Sequence, residues 1–344
     1  MSRRWRNFFF LFGLAAIAVM LLTLNSSIND IRAILDKLGI WFPAIVALWI
    51  PIYIMNALSW YLIIRDGTCA SVPFMQVLKM TITGFALNYT TPFGLMGGEP
   101  YRIMELSNYV GTEKATSSVI LYVMMHICSH FCFWLSAIAL FFILHFAGFE
   151  NYQLNLFVCI LLVVLTIVFI IVCCLFSRGF RYGFVVKVFG VLSRIPLVSR
   201  WAVGFMGSHA DQLSLIDTQI ALLHADRRKP FWMSLLLEYA ARILGCCEYW
   251  ILLGIIVPDA AFCDSIIIMA FSSFFSNLIF FLPMQLGSRE GGLALAAIGI
   301  SLPGSAGFST ALMTRLRELL WIIVGIGVMK LGNKKDQYDK GRSS

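Results

Sequence analysis

The stretch TTPFGLMGGEPYR, residues 90–102, breaks an otherwise apolar run. Pro92, Gly94, Gly97, Gly98 and Pro100 interrupt a helix, and Glu99 and Arg102 are expensive in hydrocarbon. Such a segment is tolerated at membrane depth only where protein or water surrounds it. A second stretch, LPMQLGSREGG, has the same chemistry in Pro283, Gly287, Arg289, Glu290, Gly291 and Gly292. In both, the glutamate stands seven positions after the proline, Glu99 after Pro92 and Glu290 after Pro283. The fold must therefore enclose two broken, charged segments.

Composition sets the solvent. The 344-residue chain is 60% hydrophobic and 13% charged, whereas soluble domains run about 45–50% apolar and about 25% charged. This is an integral membrane protein. A net charge of +8 is no sign of nucleic-acid binding, because no soluble stretch is long enough for a reading domain. The nine cysteines contain no CxxC pair, and most lie in apolar runs, where a thiol packs as a small hydrophobe. Cys128 and Cys132 stand beside His126 and His130 at metal-ligand spacing on one helix face. Packed intramembrane side chains are the plainer explanation. Nothing resembles a P-loop, a nucleophile elbow or a metal cluster, so no cofactor is expected.

Taken in order, Arg3, Arg4 and Arg6 precede an apolar run over residues 8–24, just long enough to span. No clean small-x-small site follows it, which favours a retained helix over a cleaved signal peptide. Further spans are expected over 41–64, 117–146, 154–176, 231–257 and 308–331. Residues 178–230 carry Arg178, Arg181, Lys187, Arg194, Arg200, Arg227, Arg228 and Lys229, which places them in the cytoplasm. Their interspersed apolar residues predict interfacial amphipathic helices that attract anionic lipids. Both termini then lie in the cytoplasm. Residues 336–344 read as a disordered tail, and 1–335 as a single membrane domain.

Closing this topology leaves no room for a single full crossing between Arg65 and Ser117. The predicted fold is all-α, with about six transmembrane helices and two opposed re-entrant hairpins, or eight helices if the hairpins are counted so. Glu290 lies 191 positions beyond Glu99, Trp250 lies 190 beyond Trp60, and Arg315 lies 189 beyond His126. The expectation is an inverted repeat, about 41–146 and about 231–331, of the kind many alternating-access transporters use.

Charge inside the spans marks the candidate site. Glu238 and Arg242 are four apart on one helix face, with Glu238 first. Arg315 and Glu318 are three apart. An intramembrane charge costs at least about 2.5–3.5 kcal/mol, which makes each a functional hypothesis. Arg317 and Glu248 suit a structural ion pair. The substrate-binding set is Glu99, Arg102, Glu238, Arg242, Arg289, Glu290 and Arg315, held by Pro92, Gly97, Gly98, Pro283, Gly287 and Gly291. Glu99 before Pro100 reads as a helix N-cap, with free backbone N–H groups behind it as an anion site. Arginine clamping a phosphate, with the glutamates meeting a cationic group, suits a lipid headgroup.

At GGEPYRIMEL and LGSREGGLALAAIG, with TRL around Arg315, the chain resembles the flippase-like family of the lysylphosphatidylglycerol synthase transmembrane region. The resemblance spans roughly residues 8–331. It implies a bacterial inner-membrane protein that translocates a phospholipid or polyprenyl-linked lipid. Two departures matter. No aminoacyltransferase domain follows Leu331, so this chain is not expected to aminoacylate lipid. Met125 and His126 stand where relatives carry a Glu-Arg pair, which makes His126 a pH-sensitive candidate. Two rival expectations are a membrane lipid-phosphate transferase and a non-transporting partner of a lipid-modifying enzyme.

Overall fold

A computed structural model describes residues 36–65, 72–90, 97–152, 156–182, 185–194, 199–226, 228–278 and 287–329. Everything below concerns these residues. The expected span over 8–24, the tail, and the hairpin tips with Pro92 and Pro283 lie outside them.

The protein is an all-α polytopic membrane protein. Its helices are α1 (Trp41–Ile64), α2 (Phe74–Thr90), α3 (Gly98–Val110), α4 (Thr112–Phe146), α5 (Leu156–Tyr182), α6 (Val185–Leu192), α7 (Ser199–Asp226), α8 (Arg228–Ile256), α9 (Phe262–Leu278), α10 (Ser288–Gly299) and α11 (Gly304–Val328). Four segments are long and apolar enough to cross a membrane: α1, α4, α8 and Val158–Gly179 of α5. The 25-residue α11 fits the expected last span in length but carries Arg315, Arg317 and Glu318 on buried positions. By contrast α3 and α10, at 13 and 12 residues, rise only about 18–20 Å. That is short of a hydrocarbon core of about 30 Å.

The order of packed pairs is the same in both halves. In the first, α1 packs on α2, α2 on α3 and α3 on α4; in the second, α8 packs on α9, α9 on α10 and α10 on α11. The halves meet through α1 on α8, α2 on α11 and α4 on both α8 and α9. Close backbone approach makes two of these crossings possible. A Cβ on Gly98 would land on the Gly84 carbonyl of α2, and one on Gly325 would meet Ala86 Cβ at 2.6 Å and Ile82 O at 2.9 Å. Thr83 Oγ1 donates to the Gly325 carbonyl at 2.9 Å across the second crossing.

Within the basic stretch lie α6 and α7. Val185, Leu213 and Ile216 join one core cluster with Trp60, Tyr101, Val119 and Tyr122, so α6 and α7 pack onto the first half. Asp217 of α7 accepts from the free backbone N–H groups of Val185 and Val186, at 2.7 and 3.0 Å, and so caps α6. At the other end, the Tyr152 hydroxyl donates to Asp264 and ties the turn after α4 to the start of α9. Burial, and then that carboxylate, hold the Tyr152 phenol well above its ordinary range.

The helix crossings give a direct test. Gly325→Ala should cost about 1–3 kcal/mol by overpacking α2 against α11. Gly327→Ala, which meets nothing within 4 Å, should be neutral or slightly stabilising. Thermal unfolding of the two purified variants, followed by size-exclusion fluorescence, separates them.

Candidate functional site

Each broken segment delivers a glutamate to the first turn of a short helix. Glu99 is the second residue of α3, behind an N-cap at Gly97. It is therefore not the N-cap that the proline spacing predicted. Its turn is held from α2 by Asn88, whose Oδ1 accepts from Gly98 N–H at 2.6 Å and whose Nδ2 donates to Glu99 Oε1 at 3.0 Å. Glu290 is the third residue of α10, where its Oε2 accepts from Gly287 N–H at 2.9 Å. Gly287 adopts φ +79°, a left-handed conformation that suits glycine. The open anion sites expected at these helix starts are thus occupied at Gly98 and Gly287 by the protein's own acceptors. Gly291 is exposed on α10, with open space at its Cα.

Arg102 is buried at 2% exposure and lies in an aromatic cage. Its guanidinium carbon sits 5.2 Å from the Phe85 and Tyr122 rings and 5.8 Å from Trp60. Nη1 donates to Glu99 Oε1 at 3.2 Å and Nη2 to Thr81 O at 3.4 Å. Glu99 Oε2 and Arg102 Nε are buried without a hydrogen-bond partner.

A second group links α4 to α8. Glu238 and Arg242 share a face but do not bond one another in the manner the i,i+4 spacing suggests, because α4 supplies both with partners. Glu238 Oε2 lies 2.7 Å from His126 Nδ1. Arg242 donates to Ser129 Oγ at 2.7 Å, to His126 O at 2.9 Å and to His130 Nδ1 at 2.9 Å.

A third group closes the second half. Arg317 donates from Nε and Nη2 to the two oxygens of Glu248, both at 2.9 Å. Its guanidinium stacks 3.8 Å from the Trp49 ring centre, and Trp49 Nε1 donates to Glu248 at 2.8 Å. Glu318 bonds Arg289 and lies 3.7 Å from Arg317, while Arg289 also reaches the Tyr249 hydroxyl at 3.2 Å. Arg315 pairs with Glu290 rather than with Glu318, its neighbour three positions on. Between α1, α2 and α11, a cleft of about 180 Å³ is lined by Tyr53, Ala86, Tyr89, Arg317, Glu318, Trp321 and Ile322. It is too narrow for a water-sized sphere.

All seven charged residues singled out from sequence are therefore in this polar core, in three groups. Sequence reasoning missed Asn88, Ser129, Trp49, Tyr53 and Tyr89, and weighed His130 only as a metal ligand rather than as a partner of Arg242. Asn88 was the one with a visible signal, an amide at the end of an apolar arm 11 residues before Glu99.

The model of the lysylphosphatidylglycerol synthase TM region matches residues 10–327. The chain belongs to that family. No curated protein and no solved structure matches it. The two segments that carry the resemblance, residues 97–106 and 286–299, are those that open α3 and α10. Membership makes this a lipid-related membrane protein.

The Arg317–Glu248 pair has a measurable signature. Arg317→Met or Glu248→Leu alone leaves a buried charge without its bidentate partner and should cost about 3–5 kcal/mol, less for Glu248→Leu because Glu318 stays 3.7 Å from Arg317, with the double variant recovering most of it. Thermal unfolding of the four proteins in one detergent closes this cycle.

Proposed function

We propose that this protein moves a phospholipid or polyprenyl-linked lipid between leaflets of a bacterial inner membrane, with the two hairpin helices gripping its headgroup. The observation that carries this reading is the arrangement of Glu99–Arg102 and Glu290–Arg315. Each pair sits on the first turn of a short helix, or opposite it, inside a membrane domain. At rest each arginine is neutralised by its own glutamate. A headgroup phosphate competes for the guanidinium, which prefers bidentate anions. The released carboxylate then meets any cationic group on the same lipid. Exchange of one counter-charge for another keeps the core near neutrality throughout, which the hydrocarbon demands.

The matching order of helices in the two halves supports a two-fold, inverted design. One half rocks against the other about the α1–α8 contact, opening the cleft beside Arg317 and Glu318 first to one leaflet and then to the other. The basic stretch lies on the cytoplasmic side, where its positive charge draws anionic lipids towards the first half. Both termini are cytoplasmic in this scheme. Arg289 and Arg242 position the site: one is committed to Glu318 and Tyr249, the other to α4.

The test is leaflet translocation in proteoliposomes carrying fluorescent phosphatidylglycerol, phosphatidylethanolamine or polyprenyl phosphate. Wild type should move at least one of them, and Glu99→Gln combined with Glu290→Gln should slow it by about tenfold or more. Lipid movement unchanged in the double variant, or absent from wild type across the panel, contradicts the reading.

A further inference from the structure

Four carboxylates of the polar core, Glu99, Glu248, Glu290 and Glu318, face arginines. Glu238 faces a histidine instead. An arginine keeps its proton at any accessible pH, whereas an imidazole changes charge between about pH 5 and 8. Position 126 is also the one that the spacing of the two halves matches to Arg315, a fixed charge.

The bonds around the pair narrow its protonation states. Arg242, one turn further along α8, makes no direct bond to Glu238; its bonds go to Ser129, His126 O and His130 Nδ1. A guanidinium only donates. His130 Nδ1 must therefore accept, which makes His130 the neutral, Nε2-protonated tautomer. His126 is left as the imidazole able to gain charge. Its side chain keeps 25% exposure, while Glu238 is 1% exposed. Glu238 Oε1 is buried without a hydrogen-bond partner. An anionic oxygen left bare in such surroundings is costly.

The neighbours of the pair come from two other helices as well as from its own two. Tyr122 and His130 on α4 lie 6.3 and 5.3 Å from the His126 ring, and Phe85 of α2 lies 5.9 Å away. Arg102 of α3 and Arg242 of α8 bear on His126 electrostatically, as Glu99 of α3 does on Tyr122 and Tyr89 of α2 does on Arg242.

We propose that His126 and Glu238 form a proton-binding site, and that its proton is the coupling ion of lipid movement. The second clause rests on the transport reading above; the first stands without it. Without the proton, a neutral His126 donates Nδ1–H to the Glu238 carboxylate, and the net charge of −1 is balanced by Arg242. One proton, taken from water onto His126 Nε2 or Glu238 Oε1, brings the pair to zero and leaves Arg242 unbalanced. The seam between α4 and α8 then carries one net positive charge. That state favours entry of an anionic headgroup, and release of the proton favours its departure.

The direct test is site-resolved titration by nuclear magnetic resonance of ¹⁵N-histidine-labelled protein in nanodiscs, with the His126 signals assigned from His126→Gln. In wild type the His126 nitrogens should titrate between about pH 5 and 8. Glu238→Gln should lower the midpoint by a unit or more, a tenfold loss of proton affinity. A His126 in one form across that range overturns the site in wild type alone, whatever the variant does. An unshifted midpoint in Glu238→Gln overturns the pair. Coupling is read separately, with His126→Arg, which restores a fixed charge. A pH gradient should speed lipid movement several-fold in wild type and leave His126→Arg indifferent. Gradient-independent movement in wild type removes the coupling clause alone. No movement at all removes the transport reading, while the titration still decides the proton site.

Discussion

Arg317 donates twice to Glu248 in the middle of a helix seam, and neither side chain has bulk water to fall back on. An unpaired charge there costs several kcal/mol, so the two must find each other for either helix to be placed. Trp49 closes over the guanidinium and donates to the same carboxylate, which draws α1 into the contact. The pair thus fixes α11 against α8 and α1. Because α11 also crosses α2 at Gly325, the position of the central cleft follows from this one interaction. Apolar packing alone has little power to choose among helix orientations in lipid, since lipid tails are as apolar as leucine. Charge pairing and close glycine contact make the choice.

The two halves use the same order of helices, and each leaves one glutamate incompletely matched. In the second, Glu290, Glu318 and Glu248 are all taken by arginines, and Glu290 also closes its own helix start. Glu99 in the first half and Glu238 of α8 in the second each keep one buried oxygen without a partner. The first half also carries α6 and α7 beneath it, with Val185 and Leu213 in the same cluster as Trp60.

Much of this was legible in the chain. Composition alone identified a membrane protein, and the expected span over 41–64 agrees with α1 at both ends. The broken segments pointed to Glu99 and Glu290, because proline, glycine and charge together have few other uses in apolar sequence. What sequence could not give was the pairing. Glu238 beside Arg242 and Arg315 beside Glu318 looked like partners by helical spacing, yet every one of them is bound across a helix interface. Local spacing reports a shared face, and only packing reports what that face meets. The aromatic cage of Arg102 was hidden for the same reason, since Trp60, Phe85 and Tyr122 come from three helices. The matched tryptophans also diverge: Trp60 is fully buried, whereas Trp250 is 46% exposed. A residue type repeated at one spacing does not keep one role.

The central claim is that the cleft between α1, α2 and α11 opens to each side of the membrane in turn. Tyr89 lines that cleft, and Tyr89→Cys in a cysteine-free background places one thiol within it. The measurement is its reaction with a membrane-impermeant maleimide added to either face of oriented vesicles. The account predicts labelling from both faces, with reaction from one side blocking the other. A thiol that reacts from a single face only, or from neither, contradicts it.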